Sequence, residues 1–453
     1  MKRRYQVTRV KFLVVCTMVL AAITPNVVAH SASVYKISPK YTFAEKFSEG
    51  LAAVRLNDDY RWGYIDTSGQ MVISPKFEEV GQFHDGLAEV RWNGLVGFIN
   101  AKGKTMIPFK YRDAQDFQNG VAWVNDGLGW NLIDKKGNTI ANKHYQVAFP
   151  FIEGLARVAE NREYGWGYID KKGKVVIPLQ YKFAPFDFTE GFATVKDMQE
   201  QYYLIDAKGK TTAFGSHTVT NFDNGFAVVG TPGTKQWAIY NKSGQLNTLS
   251  EKYDLMVEFH EGMAPIRVNH KWGFIDQSGK KVIPPQYEEF NYDMGTTNGN
   301  PIFQEGLAAA VQKNGKMGFI DKTGKIVVPF IYDHVHDFSG GIASVYKNGL
   351  AGFIDKTGRV VIPLQFAGFK VDPMGATFNS GLEPARDKST LLWGYITKPP
   401  LKKTTQGYEL LSGDKNIISL KAAKNATFCI YGIKFLSKPN DKNLIPLPKL
   451  TRT

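Results

Sequence analysis

A Phe-x-x-Gly step recurs ten times along this chain, with Phe at 47, 83, 117, 151, 188, 222, 259, 303, 338 and 378 and Gly three residues later each time. A period of roughly 35 residues commits the chain to one small supersecondary unit stacked on copies of itself, because no single unit of that size buries its own apolar face. We number the units 1 to 10 by these phenylalanines.

Unit 7 gives the order in full: Phe259 and Gly262, then Lys271-Trp272-Gly273-Phe274-Ile275-Asp276, Gly279-Lys280, and Val282-Ile283-Pro284-Pro285-Gln286-Tyr287. In unit 1, Leu51-Ala52-Ala53-Val54, Trp62-Gly63-Tyr64-Ile65 and Met71-Val72-Ile73 are short β-prone runs parted by turn residues, which predicts a three-stranded meander. No segment of the repeats sustains an apolar period of 3.6. The expected fold is all-β: a tandem array of about ten three-stranded β-meander repeats forming an open or curved β-solenoid, since propellers usually close with about four to eight blades. The alternative is a closed propeller-like ring. Its support lies at the ends: unit 10 stops after Trp393-Gly394-Tyr395-Ile396 without a third strand, while Val34 to Tyr41 resembles an isolated third strand. An open array that begins and ends out of phase would give the same sequence.

Three repeated features are read as structural. Asp66-Thr67-Ser68-Gly69, Asp170-Lys171-Lys172-Gly173 and the turn ending at Gly279 pair an acceptor side chain with a glycine for the positive-φ position that closes a hairpin. A row of calcium sites is disfavoured because Asn100 and Asn241 replace the Asp in two units and each turn offers one carboxylate, whereas calcium takes about six to eight oxygens. The pairs Trp62-Gly63, Trp166-Gly167, Trp272-Gly273 and Trp393-Gly394 mark a packing slot, the glycine being expected to admit a large ring from the neighbouring unit. Val96, Met317 and Ala351 fill the slot elsewhere while Gly97, Gly318 and Gly352 stay. Pro108, Pro178, Pro329 and Pro363 are expected to end the third strand by removing a ladder donor.

These motifs, and Lys271-Trp272-Gly273 in particular, resemble the WG-repeat family, also called KWG-repeat proteins. The resemblance covers about four-fifths of the chain. Units 3, 5 and 6 depart from it with Trp130-Asn131, Tyr203-Leu204 and Trp237-Ala238. It implies a mostly bacterial, often exported, all-β repeat module of no settled activity, with no catalytic residues to carry over.

Met1-Lys2-Arg3-Arg4, Arg9 and Lys11 precede an uncharged run from Phe12 to Ala29, the order of a secretory signal peptide cleaved near Ala29. The expected division is a signal peptide over 1–29, a repeat array over 30–398 and a Lys-rich basic extension over 399–453, in a secreted or envelope-associated protein. Of the two cysteines, Cys16 and Cys429, the mature chain keeps one, so packing rather than a disulfide must hold it together. The net charge of +14 suggests nucleic acid until it is divided: residues 1–29 carry five of the excess charges and residues 401–453 a net seven, leaving +2 for the repeats. No nucleic-acid partner is therefore expected. The basic extension suits an anionic polymer such as a teichoic acid or a lipid headgroup.

No nucleophile elbow, His-Glu-x-x-His or zinc-type Cys pair is present, so no catalytic residue, metal or cofactor is assigned. His334 and His336, beside Asp333 and Asp337, are read as a solvated edge rather than as ligands. Two departures from the period, Asn291 to Pro301 and Ala367 to Ala376, are expected to project as loops flanking a binding surface. The functional expectation is a non-enzymatic exported scaffold for a protein or cell-envelope partner. The alternatives are a glycan-binding module working through exposed aromatics and a polymer hydrolase with an unrecognised carboxylate pair.

Overall fold

The computed structural model describes residues 34–399 except 57–59, 142, 185, 231–232, 289–300 and 371–377, together with the backbone of strands Leu401–Thr404 and Gly407–Leu410. The leader, both cysteines, most of the two predicted loops and nearly all of the basic extension lie outside the described residues.

The described chain is all-β, built from antiparallel sheets whose strands follow in sequence order, except that one seven-stranded sheet also takes in the first strand, Tyr35–Tyr41. No sheet closes on itself: each is open and ends at two edges. Unit 1 shows the pattern, with strands Phe43–Ala44, Leu51–Arg55, Trp62–Asp66 and Met71–Phe77. Most meanders thus carry a two-residue first strand before the three that were expected, too short to leave a period-2 signal. The Leu51–Arg55 strand is buried on both faces, because it lies between neighbouring units. Met71–Phe77 alternates buried and exposed residues, as an outer strand with one solvated face should.

The third strands run through their prolines instead of ending there: Pro108 lies inside Thr105–Tyr111 and Pro178 inside Val175–Tyr181. Register explains it. Trp62 pairs with Phe77 and Tyr64 with Ile73, so three residues of the outer strand stand opposite Gly63. This is a bulge, and a bulge frees one residue from donating to the ladder, which is where proline is tolerated. The same geometry corrects the reading of the Trp-Gly glycine. What approaches Gly63 is the backbone of its own third strand, not a ring from the next unit: a Cβ there would stand 2.4 Å from the Ile73 carbonyl oxygen. Gly167 and Gly273 would meet the Ile177 and Ile283 carbonyls at 2.5 and 2.4 Å.

The two ends of the array are joined. Strand Tyr35–Tyr41 pairs antiparallel with Trp393–Thr397, placing Tyr41 opposite Trp393 and Ile37 opposite Tyr395. That is the bulged register of every intact unit, and a Cβ on Gly394 would meet the Ile37 carbonyl at 2.5 Å. The first strand of the array therefore serves as the missing third strand of unit 10, in a seven-stranded sheet that also contains unit 9. Tyr395 is fully buried, donates to the Glu45 carbonyl at 2.8 Å and packs on Phe47 with ring centroids 4.8 Å apart. The array is curved, with its ends held together by main-chain pairing.

Units are also tied by their turns. At the Phe-x-x-Gly step Glu49 and Gly50 have φ of 49° and 82°, the two-residue hairpin turn with both centres at positive φ. The residue before the glycine reaches the next unit's turn: Gly86 N–H donates to Glu49 at 2.8 Å, Gly120 to Asp85 at 2.6 Å, and Glu190 and Gly191 both donate to Glu153 at 2.7 and 2.8 Å. Charge-assisted bonds to main-chain N–H groups are stronger than neutral ones. Each such carboxylate fastens one unit to its successor.

Candidate functional site

The repeated residues are used up by the scaffold. Asp66 accepts from the N–H groups of Ser68 and Gln70 at 2.9 and 3.0 Å, and these bonds hold its carboxyl below the usual range, the Ser68 hydroxyl contributing most. Asn100 accepts the matching pair of bonds. Gly69, Gly173 and Gly279 take φ of 86°, 77° and 86°, and each packs on the preceding unit, Gly69 against Ile37, Gly173 against Ala141 and Gly279 against Leu249. Trp166 and Trp272 are buried; Trp62 and Trp393 are half-buried. Trp166 packs between Phe149 and Phe183, and Arg55 lies over the rings of Trp62, Phe43 and Tyr60.

Chemistry is found where the units differ. At two junctions the middle residue of the Ala-x-Val strand in one unit meets the residue before Phe in the next. At the junction of units 4 and 5 these are Arg157 and Asp187. The guanidinium donates to Asp187 at 2.7 Å and to the Ala184 carbonyl at 2.8 Å, and stacks 3.9 Å from the Phe149 ring centroid. It is buried and satisfied.

At the junction of units 2 and 3 the same positions hold Glu89 and Asp116. The Glu89 carboxyl bonds to the Asp116 carboxyl, and both burial and this neighbour push its pKa well above the carboxylate range. Two carboxylates cannot share a hydrogen bond without a proton, so Glu89 is the protonated partner. Glu89 Oε2 is sealed from solvent with no donor to it. The carboxyl occupies space made by Gly81, where a Cβ would stand 1.7 Å from Oε1; Tyr64 donates to the Gly81 carbonyl at 2.7 Å. His84 Nε2 lies 3.4 Å from Asp116, with both side chains more than two-fifths exposed. The pair opens into a cleft of about 510 Å³ bordered by Trp123, Pro150 and Phe151 as well, with no Lys or Arg among its lining residues. Trp123 is its buried wall, stacked on Phe151 and donating to the Phe149 carbonyl at 2.9 Å.

A third polar cluster lies in unit 9. His334 and His336 do share a face, with Nε2 atoms 3.3 Å apart, and His336 Nδ1 is 2.8 Å from Ser344 Oγ. They are buried rather than a solvated edge, because Tyr346 packs on both rings and units 9 and 10 join in one sheet. Burial lowers their pKa values to about 4 and about 3, and raises that of Asp337 to about 7. Both imidazoles are therefore neutral near pH 7. Among the described residues no group of three or more His, Cys, Asp or Glu is arranged to hold a metal ion. Among them, too, no helix is long and apolar enough to cross a membrane.

Comparison with known proteins places the scaffold. A family model described as WG containing repeat matches nine stretches, residues 35–60, 62–95, 97–127, 130–164, 166–197, 237–272, 272–293, 317–350 and 352–369, together more than half of the chain. No curated protein matches. Among solved structures, the chain is similar to the computationally designed Ika8 protein (11% identity, 63% of this chain and 95% of that one, TM-score 0.36). It is also similar to BamB from Moraxella catarrhalis (11%, 70% and 89%, 0.33) and to apo AztD from Citrobacter koseri (14%, 63% and 92%, 0.31).

Proposed function

Since the chain belongs to the WG-repeat family, we propose that it is an exported, non-enzymatic binding scaffold that meets a protein or cell-envelope partner through the cleft between units 2 and 3. One observation carries this reading: positions common to the units are spent on turns, bulges and unit-to-unit bonds, while Glu89 and Trp123, at a strand position that varies from unit to unit, border with Asp116 and His84 a concave site of about 510 Å³. Repeat arrays commonly recognise partners this way, holding the frame constant and varying the residues displayed on it. Export rests on the charged start and uncharged run of residues 1–29.

The test is capture of the purified mature chain by isolated envelope fractions, alongside a Pro150→Trp variant that obstructs the cleft from its exposed rim. The reading expects saturable capture of the parent and loss in the variant. Equal capture of both would move the contact elsewhere, to the basic extension first. Turnover of a wall polymer by the parent would replace the scaffold with an enzyme.

A further inference from the structure

We infer that the cleft between units 2 and 3 is a receptor for an organic cation, a guanidinium or primary ammonium group on the ligand, seated between the carboxyl groups of Glu89 and Asp116. The inference deepens the binding-scaffold reading and rests on it.

The molecule itself supplies the argument, since the fold builds this junction more than once. Between units 4 and 5 the two meeting positions carry a cation and an anion, and the cation also lies over an aromatic ring. Between units 2 and 3 the partner acid is retained as Asp116, but the position of Arg157 is taken by a second acid, Glu89. The position of Phe149, eight residues before Arg157, is Gly81, eight before Glu89, so no ring lies there, and across the junction Gln115 Oε1 is buried without a partner. What the second junction lacks, relative to the first, is a positive nitrogen. In its place is a cleft whose lining contains two carboxyls, one histidine and no Lys or Arg, in a chain of net charge +14.

The walls suit such a group. Glu89 Oε2 and Gln115 Oε1 are buried acceptors without donors, and an ammonium or guanidinium brings three to five donors and no acceptor. Phe151 and Trp123 border the same space, so the methylene stem or ring that carries the nitrogen meets apolar surface. Entry of the cation removes the need for the shared proton. Glu89 releases it to solvent, and one positive charge replaces another beside Asp116. The groups that face Glu89 are Asp116 and Asp113, both acting to keep it protonated, and Tyr64 across the neighbouring strand; His84 acts through Asp116. Arg91, two residues along the same strand, is held by Glu79 at 2.6 Å and lies 3.9 Å from Asp113, outside the lining of the cleft, so affinity rises with pH as Glu89 loses its proton more readily.

The experiment is isothermal titration of the full mature chain with three cationic probes of different origin, agmatine, the peptide Gly-Lys-Gly and the glucosamine dimer, with the N-acetylated dimer as the uncharged counterpart. Saturable binding of at least one cationic probe is expected, with at least tenfold weaker binding of the uncharged dimer and with proton release visible as a buffer-dependent heat. The probe that binds best identifies the source of the cation. Glu89→Arg reproduces the arrangement of the other junction and fills the site from within; it should fold as the parent does and lose at least tenfold in affinity. Glu89→Gln/Asp116→Asn, which changes charge but little shape, should lose as much. If no cationic probe binds, or if Glu89→Arg binds as the parent does, the inference is overturned. Should that happen while Pro150→Trp still abolishes envelope capture, the cleft remains the contact and only its cation chemistry is wrong; if Pro150→Trp leaves capture intact, the scaffold reading of the cleft fails with it.

Discussion

The junctions of units 2 with 3 and 4 with 5 keep an Asp at one of two meeting positions and differ at the other, Glu89 against Arg157, and the outcomes are opposite. Arg157 and Asp187 form an ion pair closed over by Phe149. Glu89 and Asp116 form a like-charged pair that keeps a proton and opens into a cleft. A repeat scaffold tolerates either, because the bulges, turns and inter-unit bonds that hold it together lie at other positions. The unsatisfied junction is therefore the informative one: it leaves Glu89 Oε2 and Gln115 Oε1 buried without donors.

Exchanging the character of the two junctions tests this most severely. Arg157→Glu would bury two acids where an ion pair stands, and removing one partner of a buried pair costs about 3–5 kcal/mol; chemical denaturation should show a loss of that order. If the loss were under about 1 kcal/mol, the two junctions would not differ as described. Glu89→Gln acts in the opposite direction and depends on pH. Glu89 has a folded-state pKa raised above its unfolded value, so the parent is at no disadvantage below pH 4.5 and loses stability as pH rises through the raised value. The glutamine variant should match the parent at pH 4 and be the more stable of the two at pH 8, as chemical denaturation at the two pH values would show. A constant difference across that range would mean that Glu89 is not the protonated partner.

Gly81→Ala probes how the acid is seated. Its Cβ would stand 1.7 Å from the Glu89 carboxyl, at the end of a flexible side chain that can move away, so a cost of about 1 kcal/mol is expected. That cost should vanish in a Glu89→Ala background, and a double-mutant cycle reads the coupling. The smallest effect belongs to His84→Ala, which removes an exposed contact to Asp116 and should change stability by less than about 0.5 kcal/mol. A larger change would give His84 a part in holding the pair.

Much of the fold was legible in the sequence because it is written ten times. The hairpin turns at Gly69, Gly173 and Gly279 follow from an acceptor and a glycine at fixed spacing, and the phase of the two ends pointed to Tyr35–Tyr41 as the strand that unit 10 lacks. The bulge was not legible. A proline after an apolar run reads as a stop, and only register reveals that Gly63 exists to admit the Ile73 carbonyl. The unit-to-unit bonds of Glu49, Asp85 and Glu153 did carry a signal, an acidic residue before glycine in several units, but it says nothing of the distant amide that it meets. The candidate site was hidden for a different reason: Glu89 and Asp116 are 27 residues apart in different units, and each alone resembles a surface acid. The clue available was departure from the repeat, a Glu in the middle of an Ala-x-Val strand where the other units, Arg157 apart, place small or apolar residues. The same departure at His334 and His336 was read as a solvated edge because burial at the joined sheet of units 9 and 10 cannot be seen in one strand.

The most direct test of the account is retention of the full mature chain on isolated envelope fractions, compared with Glu89→Arg after both have been shown to unfold at closely similar temperatures. The account predicts that the parent is retained and the variant, its cleft closed from within, is not. Equal retention of the two would contradict it and return the binding surface to another part of the molecule.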